Sequence, residues 1–507
     1  MKIALVQMNS AVGDLEGNIK KMISFVNKAR YNEADLVVFP ECALLGNPLR
    51  DLIGRSDFIR AGQQALEQFL SHTVGMGVLL STVSSFDTGR PRKSAILIKN
   101  GEIVDRTEHS IKVLDYQGMK IGIVMDQAWN DDSNSQSIPN LYIHLSSCPY
   151  YYNSLEKRIS FFSGIAEKHN RPLLFVNQVG GNDELIFDGS SMVFDQKGSL
   201  THLGKPFEED LLIYDTELPC QSIAAPEEDI SWLYRALVLG FRDYFHKTGF
   251  TKTLLGLSGG IDSALAACIA VDALGKNNVM GIAMPSRYSS DHSLTDAEQL
   301  ARSLEIEYRV LPIEDIFASY IKLVNGSEQT AGDLAEENIQ ARIRGDLLMF
   351  ISNREGRMLV NTSNKSESAV GYSTLYGDMC GSLAPIGDVY KTMVYKLCDY
   401  INREWERIPV NTLIKPPSAE LRPNQLDQDN LPDYIMLDGI IQLYVEENLS
   451  ADEIAEKGFD RELVLKIMSM IDRMEYKRRQ APPALKVTSH ALGVDGRMPI
   501  IQRFHRQ

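Results

Sequence analysis

Short apolar runs recur through the first 216 residues, and each is four to six residues long. Runs of this length that are rich in Val and Ile favour strands over helices. The runs lie at 3–6, 36–39, 78–83, 95–98, 121–124, 141–145, 173–176 and 211–214. Amphipathic stretches at Asn18–Tyr31 and Leu155–His169 lie between some of them and predict helices. Strands interleaved with helices indicate a layered α/β domain.

The stretch L-P-C-Q-S-I-A-A-P-E-E-D at 218–229 breaks this pattern and is typical of a linker. We therefore predict one domain at 1–217, a linker at 218–226 and a second domain at 227–507. In the second domain the pattern predicts helices and strands in alternation, followed by a mostly helical last hundred residues. The predicted helices are Trp232–Thr248 and Glu336–Asn353, and the predicted strands are 253–257, 279–285, 308–313 and 358–362.

Composition narrows the class of protein. The chain has 507 residues, with 52 Lys and Arg against 67 Asp and Glu, so its net charge of -15 disfavours nucleic acid as a partner. No apolar stretch is long enough to span a membrane, and the N-terminal run is too short for a signal peptide. The six cysteines are scattered without metal-site spacing, which fits a reducing, cytoplasmic setting. They are Cys42, Cys148, Cys220, Cys268, Cys380 and Cys398.

The strongest chemical signal is L-G-L-S-G-G-I-D-S-A-L at 255–265, where a strand runs through two glycines into a helix. The backbone at Ser258, Gly259 and Gly260 can curl so that several N–H groups face one anion at the helix N-terminus. Asp262 would repel a bare phosphate, so its presence predicts a magnesium ion between acid and phosphate. The loop is not a Walker loop, because no Lys-Ser or Lys-Thr closes it.

This loop resembles the pyrophosphate-binding loop of the N-type ATP pyrophosphatases, which form an adenylate, release pyrophosphate and let a nucleophile displace AMP. Stretches at 337–345, 361–378, 416–432 and 475–483 are similar to those of the NAD+ synthetases. The resemblance implies a doubly wound parallel sheet of the adenine nucleotide alpha hydrolase type. It also implies amidation of deamido-NAD, with ATP as a substrate and Mg2+ as a cofactor.

The resemblance assigns roles residue by residue. The catalytic positions are Asp378 and Lys391, and the magnesium ligands are Asp262 and Glu367. The ATP-binding positions are Leu257, Ser258, Gly259, Gly260, Asp262, Ser263, Arg342 and Thr362. The deamido-NAD-binding positions are Arg344, Asp378, Lys391, Lys477 and Arg478.

Four of these basic positions carry a qualification. Arg342 and Arg344 are two apart on a helix and diverge in direction, so one rather than both should reach the ligand. Lys477 and Arg478 are also consistent with a solvated basic run. One further position departs from the family, because Ser363 replaces the usual glycine; a positive φ there would cost about 1 kcal/mol.

The N-terminal domain resembles the carbon–nitrogen hydrolase, or nitrilase-like, α/β sandwich that precedes the synthetase in glutamine-dependent NAD+ synthetases. The matching stretches are 39–52 and 177–191. In that family a Glu-Lys-Cys triad hydrolyses glutamine through a thioester. The triad is degenerate here: Glu41 matches the base, Lys112 is at most a remnant of the lysine, and Met125 stands at the cysteine position.

A thioether has no proton to lose and forms no thioester that water could turn over. We therefore expect ammonia as the nitrogen donor and a homo-oligomer in which the inactive domain serves assembly. Two alternatives remain open: a synthetase that still hydrolyses glutamine, and a non-catalytic scaffold or regulator. Cys42 and Cys148 are disfavoured as substitute nucleophiles, because free cysteines usually behave as small buried hydrophobes.

Overall fold

The computed structural model describes residues 1–84, 92–107, 111–125, 129, 138–327 and 329–504. The chain divides into two compact units, Met1–Glu228 (unit 1) and Asp229–Gln507 (unit 2). Within the described ranges, every helix is too short or too polar to cross a lipid bilayer.

Unit 1 is built from two six-stranded sheets, a hairpin and three α-helices within the described ranges. Its strands are β1 (Lys2–Gln7), β2 (Leu36–Val38), β3 (Gly77–Ser84), β4 (Arg92–Lys99), β5 (Glu102–Thr107), β6 (Ile111–Tyr116), β7 (Met119–Val124), β8 (Leu141–Ser146), β9 (Leu173–Asn177), β10 (Val179–Asn182), β11 (Leu185–Asp188), β12 (Met192–Phe194), β13 (Leu200–Leu203) and β14 (Asp210–Asp215). Its helices are α1 (Leu15–Tyr31), α2 (Ser56–Leu70) and α3 (Ser154–His169). The sheets have the strand orders β14-β1-β2-β3-β4-β5 and β13-β12-β9-β8-β7-β6, and β10 pairs with β11.

Alternation of side chains along the strands explains the layers of unit 1. On β1, Ala4 packs into an apolar core with residues of α1 and α2, whereas Ile3 and Leu5 face the core between the two sheets. On the other face of the second sheet, Phe162 of α3 packs on Phe175 of β9, with ring centroids 4.6 Å apart. The resulting order of helix, sheet, sheet and helix confirms the predicted nitrilase-like sandwich.

Two corners of unit 1 carry Glu41 and Met125, two of the residues predicted to form a degenerate triad. Met125 follows the carboxyl end of β7, which runs parallel to β8. Glu41 follows the carboxyl end of β2, and its N–H donates to the Ser146 carbonyl at the end of β8 (3.1 Å). Both corners therefore lie near the carboxyl ends of parallel strands, where loops commonly carry functional groups.

Unit 2 contains a parallel sheet of four strands in the described residues, in the order β17-β16-β15-β18. The strands are β15 (Thr253–Gly256), β16 (Val279–Ala283), β17 (Glu307–Val310) and β18 (Met358–Leu359). The helices are α4 (Ile230–Thr248), α5 (Ile261–Leu274), α6 (Asp291–Ser303), α7 (Glu314–Asn325), α8 (Leu334–Glu355), α9 (Lys365–Val370), α10 (Lys391–Ile401), α11 (Val410–Ile414), α12 (Tyr434–Ile441), α13 (Ala451–Glu456), α14 (Arg461–Arg473) and α15 (Glu475–Arg478). This α/β arrangement confirms the predicted parallel-sheet fold.

All four predicted strands of unit 2 end earlier in the structure, two of them by three residues. The strand predicted at 308–313 ends at Val310, because Pro312 has no N–H to continue the ladder. The strand predicted at 358–362 ends at Leu359. After the Val360 N–H bonds the Leu254 carbonyl, the Asn361 N–H bonds Leu383 instead, so the chain leaves the sheet there.

Candidate functional site

A cavity of about 330 Å³ opens at the carboxyl ends of β15 and β16 in unit 2. Ligands of open parallel sheets bind at this edge. The cavity walls come from the loop after β15, the end of β16, the middle of α8, the chain after β18 and the loop 415–421. Most of the predicted site residues line it: Leu257, Ser258, Gly260, Asp262, Ser263, Arg344, Thr362, Glu367, Asp378 and Lys391.

The loop between β15 and α5 has the groups that an anion site needs. The hydroxyls of Ser258 and Ser263 are 3.2 Å apart, and the Ser258 hydroxyl accepts from the Gly260 N–H (3.2 Å). Gly260 is the N-cap of α5, so the N–H groups of the first helical turn point toward the cavity end of the helix. Backbone N–H groups, hydroxyls and the helix dipole together favour a phosphate at this position.

Gly259 does not line the cavity, but the loop depends on it. Its φ is +76°, a conformation that side chains rarely adopt. A Cβ at this position would lie 2.2 Å from the carbonyl oxygen of Ser293. Gly259, the first of the two adjacent glycines, therefore allows the close approach of two backbone segments.

Lys391 joins the two predicted magnesium ligands. Its Nζ lies 2.5 Å from Oδ2 of Asp262 and 3.1 Å from Oε1 of Glu367, and its side chain is only 2% exposed. Asn364, which sequence reasoning missed, donates its amide N–H to Oδ1 of Asp262 (3.0 Å). The side-chain oxygen of Asn364 also accepts from the Glu367 N–H (2.9 Å) and so caps α9. One asparagine thus fixes the positions of both carboxylates.

Burial and neighbouring charges shift the pKa values of this cluster in opposite directions. Burial raises the pKa of Glu367 to about 7, although the Lys391 ammonium lowers it. Burial also works against the charged form of Lys391, but the carboxylates of Asp262 and Glu367 outweigh it and raise the lysine pKa. The amine therefore remains an ammonium, and the site holds a permanent positive charge between two acids.

Asp378, on the chain that follows α9, and Arg344, on α8, line the same cavity. The Asp378 carboxylate accepts from the Thr374 N–H (2.6 Å), and the Arg344 guanidinium donates to the Met284 carbonyl (3.0 Å). Asp378 keeps accessible surface toward the cavity, yet the surrounding protein raises its pKa to about 6, against the effect of Lys477 and Arg344. Burial lowers the pKa of Arg344 to about 10. Arg344 remains a cation at neutral pH.

Three predicted ligand-binding cations do not line the cavity. Arg342 donates to the Leu375 carbonyl (3.2 Å), so of the two arginines on α8 it is Arg344 that reaches the cavity. Lys477 donates to the Gly371 and Ser373 carbonyls (2.8 and 2.6 Å). Arg478 donates to the Ala369 and Ile471 carbonyls (both 2.6 Å), and its side chain is only 5% exposed. Lys477 therefore holds the chain after α9, and Arg478 joins α9 to α14, so the two residues do not form a solvated basic run.

Two details at the cavity edge also differ from the sequence expectations. The backbone at Ser363 does not have a positive φ, so the serine carries no conformational cost there. Sequence reasoning missed Lys415 and Asp427, which line the cavity. They lie within or beside the quoted stretch 416–432, but nothing in its spacing shows which of its side chains turn inward.

In unit 1, the lysine beside Glu41 is not the predicted one. Glu41 forms an ion pair with Lys93, which sequence reasoning did not single out. Lys112 instead contacts Asp105 (2.6 Å) and the Arg106 carbonyl (2.8 Å). The remnant assigned to Lys112 is thus corrected: its amine binds β5, which precedes its own strand β6 in the chain but belongs to the other sheet.

Met125 is 2% exposed and packs in the apolar core between the two sheets. Trp129 is also buried and donates its indole N–H to Nδ1 of His144 (3.1 Å). Asp126 and Gln127, the acid and the amide that lie between Met125 and Trp129 in the sequence, lie outside the described residues. The side chain at the nucleophile position is therefore a core residue.

The two alternative cysteines differ in their surroundings. Cys42 is fully buried in the core on the helix side of the first sheet. Cys148 is partly exposed, and its N–H donates to the Asn177 side chain (2.8 Å). It follows Ser147, whose hydroxyl donates to the Glu41 carbonyl (3.0 Å). Cys42 directly follows Glu41 but is buried, so Cys148 is the partly exposed cysteine near the Glu41 corner.

Comparisons with known proteins identify the family. The NAD synthase family matches residues 233–481, and the Carbon-nitrogen hydrolase family matches residues 2–119. The glutamine-dependent NAD(+) synthetase of Synechocystis sp. is 44% identical over 559 aligned positions, which cover 100% of this chain and 99% of the relative. The chain belongs to the glutamine-dependent NAD+ synthetase family.

Two further members support this assignment. The glutamine-dependent NAD(+) synthetase of Thermotoga maritima is 39% identical, and the alignment covers 99% of that relative and 99% of this chain. The structure of glutamine-dependent NAD+ synthetase from Acinetobacter baumannii in complex with adenosine diphosphate has a TM-score of 0.77 at 35% identity, covering 98% of both chains. The predicted family is confirmed, and the chain is a ligase that forms a carbon–nitrogen bond in NAD+ synthesis.

The alignments also bear on the N-terminal half. The Carbon-nitrogen hydrolase match ends at residue 119, before the Met125 corner. The alignment with the Synechocystis relative has 559 positions, whereas this chain has 507 residues. The relative therefore contains segments that have no counterpart in this chain.

We predict that Gly259→Ala weakens ATP binding by about tenfold or more, because both the φ of +76° and the contact with the Ser293 carbonyl oppose a side chain. Gly275→Ala is the matched control, since Gly275 has a φ of +82° but a Cβ there meets no atom within 4 Å. Calorimetric titration with ATP and denaturant unfolding of both variants check this. Equal losses of ATP affinity in the two variants would contradict the role of the close contact.

We predict that Asp378→Asn abolishes NAD+ synthesis but leaves the protein slightly more stable at pH 8. A folded-state pKa raised from 3.8 to about 6 means that the wild type loses stability as the pH rises through this window. Because cavity water screens the carboxylate, we expect the free energy of unfolding of the variant to exceed that of the wild type by at most about 1 kcal/mol at pH 8. This difference should disappear below about pH 4. Unfolding curves at several pH values measure it, with exposed Asp399→Asn as the control; a variant less stable than the wild type at pH 8 would contradict the sign.

Proposed function

We propose that unit 2 makes NAD+ by activating the nicotinate carboxyl of deamido-NAD with ATP and then amidating it. The observation that carries this proposal is one cavity lined both by the anion-binding loop and by the cluster of Asp262, Glu367 and Lys391. The solved relative from A. baumannii binds adenosine diphosphate, which supports a nucleotide in this cavity.

The first step joins the two substrates. A carboxylate oxygen of the nicotinate attacks the α-phosphorus of ATP, and the bond from that phosphorus to the oxygen bridging to the β-phosphate breaks. The electron pair leaves with pyrophosphate, whose charge the N–H groups and hydroxyls of the loop 258–263 would stabilise. The Lys391 ammonium, which lines the same cavity, would add positive charge near the leaving group.

The second step forms the amide. The nitrogen lone pair of ammonia attacks the acyl carbon of the adenylate, and the bond from that carbon to the AMP oxygen breaks. The nitrogen then loses a proton. Asp378, with a pKa of about 6, is ionised at neutral pH and is suited to accept that proton.

The donor set fits a magnesium ion. Asp262 and Glu367 already share one cation, the Lys391 ammonium, so their oxygens converge on one point. In the described part of the chain no three acidic, His or Cys groups are close enough to hold a metal by themselves. Magnesium commonly binds through one or two carboxylates and completes its shell with phosphate oxygens and water. When bound, it would neutralise charge on the phosphates.

For the nitrogen donor we propose ammonia, taken up directly by unit 2. The argument rests on Met125, which is a core residue at the position of the family's nucleophile. The comparisons do not confirm this donor. A synthetase that received no ammonia from its own hydrolase domain would depend on dissolved ammonia or on another ammonia-releasing protein.

Glutamine is the second candidate donor, and the names of the relatives fit it better than ammonia. Both the Synechocystis and the Thermotoga relatives are called glutamine-dependent. In this chain a glutamine-hydrolysing route would need a nucleophile other than Met125. Cys148 is the partly exposed thiol near the Glu41 corner.

We predict that the purified protein makes NAD+ from deamido-NAD, ATP and ammonium, and that glutamine supports a rate lower by about 100-fold or more. Product quantified by liquid chromatography with each donor tests this. Asp262→Asn should remove synthesis with either donor, which separates donor use from the synthetase chemistry. Equal rates with glutamine and ammonium would contradict ammonia as the donor; loss of that glutamine activity in Cys148→Ser would then identify the thiol.

We also predict that Met125→Cys alone does not create glutaminase activity. The Glu41 carboxylate is paired with Lys93, and Lys112 is bound to Asp105, so a thiol at position 125 would lack the family's base and lysine in their working arrangement. Glutamate release from glutamine measures the outcome, and ammonium-dependent synthesis in the same sample verifies that the variant is folded. Glutaminase turnover in this single variant would contradict the prediction.

A further inference from the structure

The position of Lys391 conflicts with metal binding at the same carboxylates. Its Nζ lies 2.5 Å from Asp262 and 3.1 Å from Glu367. A magnesium ion bound to oxygens of both acids would lie about 2.1 Å from each. The ion and the ammonium would then be only a few ångströms apart, and like charges at that distance repel strongly in a buried site. Lys391 must therefore change partners when the ion binds.

Asp427 is a third carboxylate on the wall of the same cavity, and it is only 4% exposed. Its Oδ2 accepts a hydrogen bond from the Tyr434 hydroxyl (2.9 Å). Lys391 forms its ion pairs within 4 Å with Asp262 and Glu367 and acts on Asp427 as a nearby charge, and the Tyr372 hydroxyl is a second neighbour of this carboxylate. A buried carboxylate without a cationic partner is costly unless a charge reaches it in another state of the site.

Tyr434 connects this carboxylate to the lysine. The Lys391 Nζ lies 5.3 Å from the centre of the Tyr434 ring, while the hydroxyl of that ring holds Asp427. The lysine side chain has a flexible four-carbon stem, so its ammonium can move along the ring without any change in the backbone. Asp427 is therefore within the reach of the displaced amine.

The charges of the cluster support the same exchange. Asp262, Glu367 and Asp427 contribute three negative charges when ionised, against the single positive charge of Lys391. The excess of two negative charges equals the charge of one divalent cation. With the ion on Asp262 and Glu367, and with Lys391 on Asp427, every charge of the cluster would be paired.

We propose that Asp427 is a positioning residue that receives the Lys391 ammonium when a divalent cation binds Asp262 and Glu367. The inference rests on the proposed function in assigning the metal to these two acids. Asp427 keeps the amine inside the cavity and directed toward the phosphates, instead of leaving it to compete with the metal. Because Asp427 lies on the stretch 416–432, metal loading also fixes one wall of the cavity.

A double-mutant cycle on the full-length protein tests the exchange. The probe is Mn2+ alone, measured by electron paramagnetic resonance without nucleotide, on the wild type, Asp427→Asn, Lys391→Met and the double variant. We expect Asp427→Asn to weaken Mn2+ binding by about tenfold or more in the presence of Lys391, and by less than about threefold in the Lys391→Met background. Lys391→Met alone should bind Mn2+ more tightly than the wild type, because the competing ammonium is gone.

Asp429→Asn is the matched control, since Asp429 lies two residues away, is exposed and contacts Arg422 instead (3.0 Å). It should leave Mn2+ affinity unchanged. If Asp427 were itself a metal ligand, Asp427→Asn would weaken binding by the same factor in both backgrounds, and that result would overturn the proposal. An unchanged affinity in Asp427→Asn would overturn it as well.

A crystal structure of the wild type with Mn2+ alone decides the question even if Lys391→Met does not fold. We expect the anomalous signal between Asp262 and Glu367, with the Lys391 Nζ within about 3.5 Å of the Asp427 carboxylate. An amine that stays on Asp262 or Glu367, or Mn2+ bound elsewhere, would refute the exchange. Neither readout uses NAD+ synthesis, so a wild type that makes no NAD+ would contradict the proposed function without deciding this inference.

Discussion

The ammonium of Lys391 between Asp262 and Glu367 is the interaction on which the rest of unit 2 depends. It joins the loop after β15, the helix α9 and the helix α10, which are more than a hundred residues apart along the chain at their extremes. All three charged groups are largely buried, so removal of one partner would leave the others uncompensated, which typically costs about 3–5 kcal/mol. The same cluster forms the centre of the cavity. Stability and the lining of the cavity thus depend on the same three charged groups.

The four residues Asn364 to Glu367 contact several segments of unit 2, and two of them contact Lys391. Asn364 bonds Asp262, and Glu367 bonds Lys391. Ser366 accepts from the Lys391 N–H (2.8 Å). Lys365 is fully buried and contacts Asp388 (3.0 Å) and Glu446 (3.2 Å). A short helical turn distributes these side chains in several directions, so a contiguous motif can contact segments that are far apart in the chain.

Unit 1 has the two-sheet architecture of the predicted domain, with Met125 at the position predicted for the nucleophile. Layering of the two sheets depends on alternation of apolar side chains, and Met125 continues that pattern into the core. A methionine packs as well as any apolar residue there, so the fold does not require the nucleophile. The Glu41 carboxylate remains buried because Lys93 supplies a counter-charge. Folding and glutamine hydrolysis therefore make separate demands on this corner.

The sequence by itself determined the fold class, and it singled out the loop 258–263 and the acids Asp262, Glu367 and Asp378, which the structure places around one cavity. Periodicity reports local structure, and the motifs are contiguous, so neither requires knowledge of distant contacts. The tertiary structure alone decided that Lys93 rather than Lys112 pairs with Glu41, and that Arg344 rather than Arg342 reaches the cavity. It also placed Asp427 beside Lys391. These facts depend on which segments meet in space and on where burial makes an unpaired charge costly, and no local pattern along the chain carries that information.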